Sequence, residues 1–310
     1  MIWVQFFSIA AFVIAVAAMI AKALRYASAP ASLRWELYPV PHEKGRSEYG
    51  GSYLEELDWW TKKRQGDTLR EFREMFEEII LLKGVYHNNR KVWAFSFPFH
   101  LGLYICIGWL LLLLAGAVLE AVGLPVVSGA GYLGTTVHYL TVISGYAGLI
   151  LAGFGALGLF IWRATDARQR PYNAPIEYFN LIFFVVLVVV VLTAHITGDS
   201  QFVFLRGYVE SLITLQAISI PTTLLTVELV LMSLMIMYIP LTRMSHFVAK
   251  YFLYHAVRWN DEPIEKGSRL EQSLMANLKK FRINWSAEHM RGGRSWAEAV
   301  TDSPEKNDEQ

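Results

Sequence analysis

Eight histidines stand in the sequence, and their surroundings divide them. His42, His87, His255 and His289 lie in hydrophilic stretches and read as solvated side chains. His100, His138, His195 and His246 lie in, or at the ends of, long apolar runs. A charged side chain in hydrocarbon costs at least about 2.5–3.5 kcal/mol, so ionisable residues there are functional candidates by default. An imidazole in such a place has two chemistries open to it. It can hydrogen-bond a neighbouring helix, or its nitrogen can serve as an axial ligand of haem iron. A single cysteine, Cys106, excludes a disulfide framework and any cysteine-ligated zinc or iron–sulfur centre within the chain.

The elements that carry these residues follow from composition. Of 310 residues, 54% are apolar and only 18% charged, and the mean hydropathy is +0.32. A soluble chain would carry about a quarter charged residues. The net charge of +1 gives no sign of a nucleic-acid-binding protein. Five runs are long enough to cross about 30 Å of hydrocarbon: Ile2–Ala21, Trp93–Leu119, Leu133–Trp162, Ile176–Ile196 and Leu212–Ile239. The first lacks the preceding positive charges of a signal peptide, since Lys22 and Arg25 follow it, and it reads as a retained helix. The fold class is therefore all-α, a five-helix membrane bundle. Its organisation is a first span to residue 24, a cytoplasmic segment 25–92, a four-helix core 93–255 and a tail 256–310.

Orientation comes from lysine and arginine. Segments 22–94, 163–175 and the tail from 242 hold 27 of the 28, and loop 197–211 holds the other, Arg206. Positive charge gathers on the cytoplasmic side, which places the N-terminus outside and the C-terminus inside. Two amphipathic helices are expected in the cytoplasmic parts. One runs over 68–83, with Thr68 and Glu71 as a capping box and Gly84 as its stop. The other presents Leu270, Leu274, Leu278 and Phe281 on one face. Each suits the membrane interface or a soluble partner equally. The polar end, Thr301–Gln310, reads as disordered.

With topology fixed, depth can be compared. His138 and His195 lie about 25 and 20 residues from their shared cytoplasmic loop on antiparallel neighbours, similar heights at about 1.5 Å per residue. His100 and His246 lie near the inner face. Two bis-histidine b-type haems, one per leaflet, would use all four. Gly145, Gly148, Ala152 and Gly155 continue the His138 face as a small-residue surface against which a porphyrin could lie, although ordinary helix packing needs the same residues. The run G-F-G-A-L-G at 153–158 lies inside a span with no strand before it, so it is not a dinucleotide fingerprint.

The stretches F-H-L-G-L-Y at 99–104 and P-L-T-R-M-S-H at 240–246 resemble the second and fifth spans of the respiratory nitrate reductase gamma subunit and its relatives. Among these relatives are the cytochrome b subunits of heterodisulfide-reductase-like and sulfate-reducer redox complexes, and W-E-L-Y-P-V-P-H-E at 35–43 resembles those members. The likeness covers residues 1–255. It implies a quinol-linked dihaem cytochrome b of a bacterial or archaeal cytoplasmic membrane, passing electrons to a cytoplasmic iron–sulfur subunit. His100 and His246 match the family's inner-haem ligands. The family's other ligand positions hold Leu110 and Glu228 here, so the outer pair, His138 and His195, rests on depth alone, and a single haem is an alternative.

Quinol chemistry needs a proton acceptor beside an electron acceptor. Glu120, Asp199, Glu210 and the mid-span Glu228 are the candidates, and Glu228 shares a helix face with His246 if Pro240 does not reorient it. Arg206 outside, and Arg163, Arg243, Arg90 and Lys91 inside, are candidate partners for haem propionates. The expected reaction is menaquinol oxidation near the outer side, with electrons leaving through an iron–sulfur protein docked on helix 68–83 and the tail. Reverse flow would draw on a periplasmic multihaem cytochrome c. The rival readings are a proton or ion transporter and a bare membrane anchor.

Overall fold

The computed structural model describes residues 2–30, 39–45, 51–168, 170–287 and 290–301. His289, residues 35–38 of the W-E-L-Y stretch and all but the first residue of the polar end lie outside the described residues. The helices are α1 (Ile2–Ala27), α2 (Thr68–Ile79), α3 (Lys83–Asn88), α4 (Arg90–Ala121), α5 (Tyr132–Thr165), α6 (Pro175–Gly198), α7 (Val203–Thr214), α8 (Thr223–Leu241), α9 (His246–Leu253), α10 (Arg269–Lys280) and α11 (Trp296–Thr301). Five of them, α1, α4, α5, α6 and α8, are long and apolar enough to cross a membrane. The chain is an all-α, multi-pass membrane protein.

It divides into two compact units, residues 1–19 with 75–245, and residues 20–74 with 246–310. In the first, α4 and α5 make the most extensive helix contact. Lipid removes the hydrophobic drive between helices, so close approach through small residues must replace it. A Cβ on Gly102 would collide with the Ala152 backbone, one on Gly155 with the Phe99 backbone, and one on Gly148 would lie 2.8 Å from Cys106 Sγ. The small-residue surface of α5 is therefore filled by α4, and it is not a bed for a porphyrin. Opposite faces carry Ile107, Leu111, Ile143, Ile150 and Val189, all exposed, as lipid-facing residues should be. Two apolar cores lie along the bundle. One is built on Trp109, Leu149, Val191, Phe202 and Leu229, the other on Phe99, Ala156, Leu181, Phe184 and Met235.

The stretch read as loop 197–211 contains most of a helix, α7, which packs on α4 and buries Leu205, Arg206, Tyr208 and Ser211. The apolar run from Leu212 thus merges two elements. α7 ends at Thr214, and the fifth span starts only at Thr223, where Thr222 caps it by accepting from Leu225 N. Pro221, just before this cap, cannot continue a helix from α7. α1 joins α7 and α8 through polar side chains: Gln5 Nε2 donates to Ser211 Oγ and the Gln216 carbonyl, and Ser8 Oγ bonds Tyr208 and Ser233.

The helix expected over 68–83 is shorter. Asp67 caps it by accepting from Arg70 N and it ends at Ile79, while Leu82, in the left-handed region at φ +53°, opens α3, inside which Gly84 sits. Leu69, Phe72 and Phe76 of α2 are exposed. In the second unit, Ser268 caps α10, whose apolar face keeps Leu278 exposed, with Phe281 just beyond.

Candidate functional site

His195, near the end of α6, is fully buried, and both of its ring nitrogens are engaged. Nδ1 lies 2.9 Å from the Asp199 carbonyl, and a carbonyl only accepts, so Nδ1 carries a proton. Nε2 lies 2.7 Å from Glu228 Oε1 on α8, and Glu228 is also fully buried. That bond holds one proton, on nitrogen as an imidazolium–carboxylate pair or on oxygen as an acid donating to a neutral ring.

Local structure explains why the ring is held there. The Asp199 carboxylate accepts from Phe204 N and Leu205 N, at 3.1 and 3.0 Å, so it anchors the start of α7 and lies at that helix's positive end. Its Oδ2 is 3.5 Å from His195 Nδ1. Between Asp199 and α7, Phe202 adopts φ +57°, strained for a residue with a bulky side chain. Its fully buried ring meets His195 at 4.3 Å, and Trp109 and Tyr146 at 5.1 Å each, which holds the backbone in that conformation. A Cβ on Gly145 would meet the same ring at 2.8 Å.

One turn along α7, Arg206 is fully buried. Its Nε lies 3.0 Å from Glu120 Oε1, and its Nη2 donates to the Val126 carbonyl at 2.7 Å. Gly116 makes room for its stem, since a Cβ there would lie 2.6 Å from Arg206 Cδ. His138 is buried near enough for the Arg206 charge to act on it. Among the described residues, His138 Nδ1, Trp109 Nε1, Arg206 Nη1 and Glu228 Oε2 are buried with no hydrogen-bond partner. Glu210, on α7, is half-buried.

Near the other end of α4, His100 Nδ1 lies 2.7 Å from the Ser96 carbonyl, so it donates there. That fixes the tautomer whose Nε2 carries the lone pair. His246, exposed, opens α9 in the second unit. α8 ends at Leu241 and Thr242 is extended, so the helical register linking Glu228 to His246 is broken. Arg243 is exposed, Arg90 lies over the Tyr86 ring at 4.3 Å, and Arg163 is 4.0 Å from Glu177. Lys91 is exposed.

A haem tests these arrangements differently. A metal-bound histidine ordinarily donates its other ring N–H to a carbonyl or carboxylate. His100 meets that condition. So does His195, through Nδ1 and the Asp199 carbonyl, but its Nε2, the nitrogen iron would take, is held by Glu228 and the Phe202 ring stands against it. Arg206 is paired with Glu120 and bonded to the Val126 carbonyl, with its Nη1 left without a hydrogen-bond partner.

In the second unit, a polar cluster escaped the sequence reading. His42 Nε2 lies 2.9 Å from Asp261 Oδ1, and Arg64 pairs with Asp261 Oδ2. Buried Glu43 accepts from Tyr53 N and Ser52 Oγ. Burial, and a hydrogen bond shared with Asp261, push its carboxyl up to about 7. His42, Glu43 and Asp261 hold ligand atoms within 4.8 Å of one another, but Arg64 already supplies the cation there. A cavity of about 510 Å³ beside it is lined by His42, Arg64, Asp261, His255 and Glu71, the last two paired at 3.1 Å. His42 and His255 are thus each in contact with a carboxylate rather than free solvated rings. Asp261 lies more than 200 residues from His42 in sequence, and no local pattern announces their meeting.

No protein-family model matches the chain, and neither does any curated protein or solved structure.

Proposed function

We propose that this chain is the b-type cytochrome membrane subunit of a respiratory redox complex in a bacterial or archaeal cytoplasmic membrane. It exchanges electrons between the menaquinone pool and a cytoplasmic iron–sulfur partner of heterodisulfide-reductase type. The observation that carries this reading is His100, a span imidazole whose Nδ1–H is donated to the Ser96 carbonyl, as the second nitrogen of an iron-bound histidine ordinarily is. The resemblance supplies the second ligand, His246. Haem b, when bound, would supply a one-electron carrier between the two-electron quinol and a cytoplasmic cluster. The depth-matched outer pair is set aside, so one haem per chain is proposed. Glu228 remains the acid–base group on the quinone side, while Asp199 holds the His195 ring and Glu120 balances Arg206.

The partner would dock through apolar positions the chain leaves uncovered, Leu69, Phe72 and Phe76 on α2 and Leu278 on α10. The His195–Glu228 pair also suits a proton transporter, and the short buried helix α7 before α8 is in keeping with the broken helices such proteins use. A reduced-minus-oxidised absorption spectrum and haem extraction on purified protein separate the two. The cytochrome reading expects one b-type haem per chain, lost in His100→Ala. A preparation without haem, made under conditions that supply it, rejects this reading in favour of a transporter or anchor.

A further inference from the structure

We infer that His195 and Glu228 form a proton-exchange site of the membrane interior, with Asp199 positioning the ring, and that His195 is not an iron ligand. Three observations carry this. Both ring nitrogens are used, Nδ1 as donor to the Asp199 carbonyl and Nε2 in the 2.7 Å bond to Glu228. Both side chains are wholly buried, so no solvent shell competes for the shared proton. Glu228 Oε2 has no partner among the described residues, which leaves a buried carboxyl oxygen open to a proton-bearing guest, either water or the hydroxyl of a quinol.

Charge limits what the trio can do. Asp199 is served by two backbone N–H groups and the start of α7, so its negative charge is provided for independently of the pair. With one proton on the His195–Glu228 bond, the three groups sum to a single negative charge. Removing that proton would leave two carboxylates buried side by side with only a neutral ring between them, a costly state. Adding a second proton brings the sum to zero. The cluster therefore cycles between one and two exchangeable protons. The arriving proton goes onto Glu228 Oε2, the open oxygen, while the bond to His195 stays in place. The next charged side chain, Arg206, is already balanced by Glu120. Phe202 closes the pair off with an apolar ring, so exchange runs through the Glu228 side.

The assignment deepens the cytochrome reading, because a quinol hydroxyl would be the proton donor, but its test does not stand or fall with it. In full-length protein carrying Glu43→Gln, which removes the other buried carboxyl titrating near neutral pH, and reconstituted in lipid nanodiscs, infrared difference spectra across a pH titration should show one buried carboxyl C=O band. Deuteration should move the band, Glu228→Gln abolish it and His195→Gln shift it. Both variants should keep the wild-type haem-to-protein ratio. A band absent at every pH, or one that survives Glu228→Gln, overturns the inference. So does loss of one haem equivalent in His195→Gln with helix content intact. Should that variant not fold, nitrogen-15 shifts of the wild-type imidazole decide between a hydrogen-bonded and an iron-bound ring. A wild-type protein without any haem rejects the cytochrome reading and leaves the infrared outcome to judge the pair.

Discussion

Arg206 shows what a single side chain costs and gives in this setting. It is fully buried, and its partners are Glu120, whose side chain is 21% exposed, and the Val126 carbonyl. Deleting one member of a buried pair costs about 3–5 kcal/mol, and the partial exposure of Glu120 lowers that to roughly 2–3 kcal/mol for Arg206→Ala. A melt in detergent should show the drop, and Glu120→Gln combined with Arg206→Met should restore at least half of it, because no uncompensated charge is then left behind. If the double variant is worse than the single, the pair is not what holds this corner. Outside the spans, Glu43 sets a pH dependence. Its carboxyl is raised from 4.5 to about 7, so the folded second unit favours the protonated form. The associated stability is full below pH 4.5 and is lost as the pH rises to about 7. The carboxyl of Asp261, held low by His42, loses its own contribution only in more acidic solution, below its ordinary range. Thermal melts of the full chain should therefore weaken over that rise in wild type and stay flat in Glu43→Gln. At this scale the sequence announces candidates but not partners. Glu228 and His195 stand out singly as polar residues in apolar runs, yet 33 residues and a helix reversal separate them, and nothing local says that each satisfies the other.

The helix pair α4–α5 is specified by side chains that are missing. Gly102 and Gly155 stand where a methyl group would strike the opposing backbone. Overpacking of this kind costs typically about 1–3 kcal/mol per site, since neither backbone can yield as a flexible side chain would. Gly102→Ala and Gly155→Ala should each lower the thermal midpoint, whereas Gly108→Ala, with open space around it, should leave it unchanged or raise it by the helix propensity of up to about 1 kcal/mol. Equal effects at all three sites would show that propensity, not contact, sets the value. The five spans were legible because hydrocarbon thickness imposes a length and composition that few other segments share. α7 was not, because its apolar residues run on into those before Pro221, and hydropathy alone cannot tell one long helix from two with a break. The informative signals were an aspartate before a helix-compatible stretch and a threonine following a proline, Asp199 and Thr222, and both are weak out of context. The reading of Gly145 to Gly155 as a cofactor surface failed for a related reason. Small residues permit close approach of anything flat, and here that is another helix and the Phe202 ring.

For the molecule as a whole, the strongest constraint is the distribution of positive charge. All lysines and arginines but Arg206 fall in segments on one side of the five spans. The exception supports the rule, since Arg206 is fully buried and neutralised by Glu120 inside the bundle. The short segment from the last turn of α5 to α6, with Arg163, Arg168 and Arg170, is the one over which the bias counts most. Cys106 is the sole native thiol, so a Cys106→Ser background allows single reporters. In intact cells, a membrane-impermeant maleimide should label Ser128→Cys, in the exposed turn between α4 and α5. It should label Ala167→Cys, in the α5–α6 loop, only after the membrane is opened. The opposite pattern would invert the molecule, putting the His195–Glu228 end of the bundle in the cytoplasm. Replacing Arg163, Arg168 and Arg170 together with neutral residues should produce a mixed population with both thiols partly labelled, because these three charges hold the centre of the bundle to one orientation while the charges flanking α1 and α9 hold its ends.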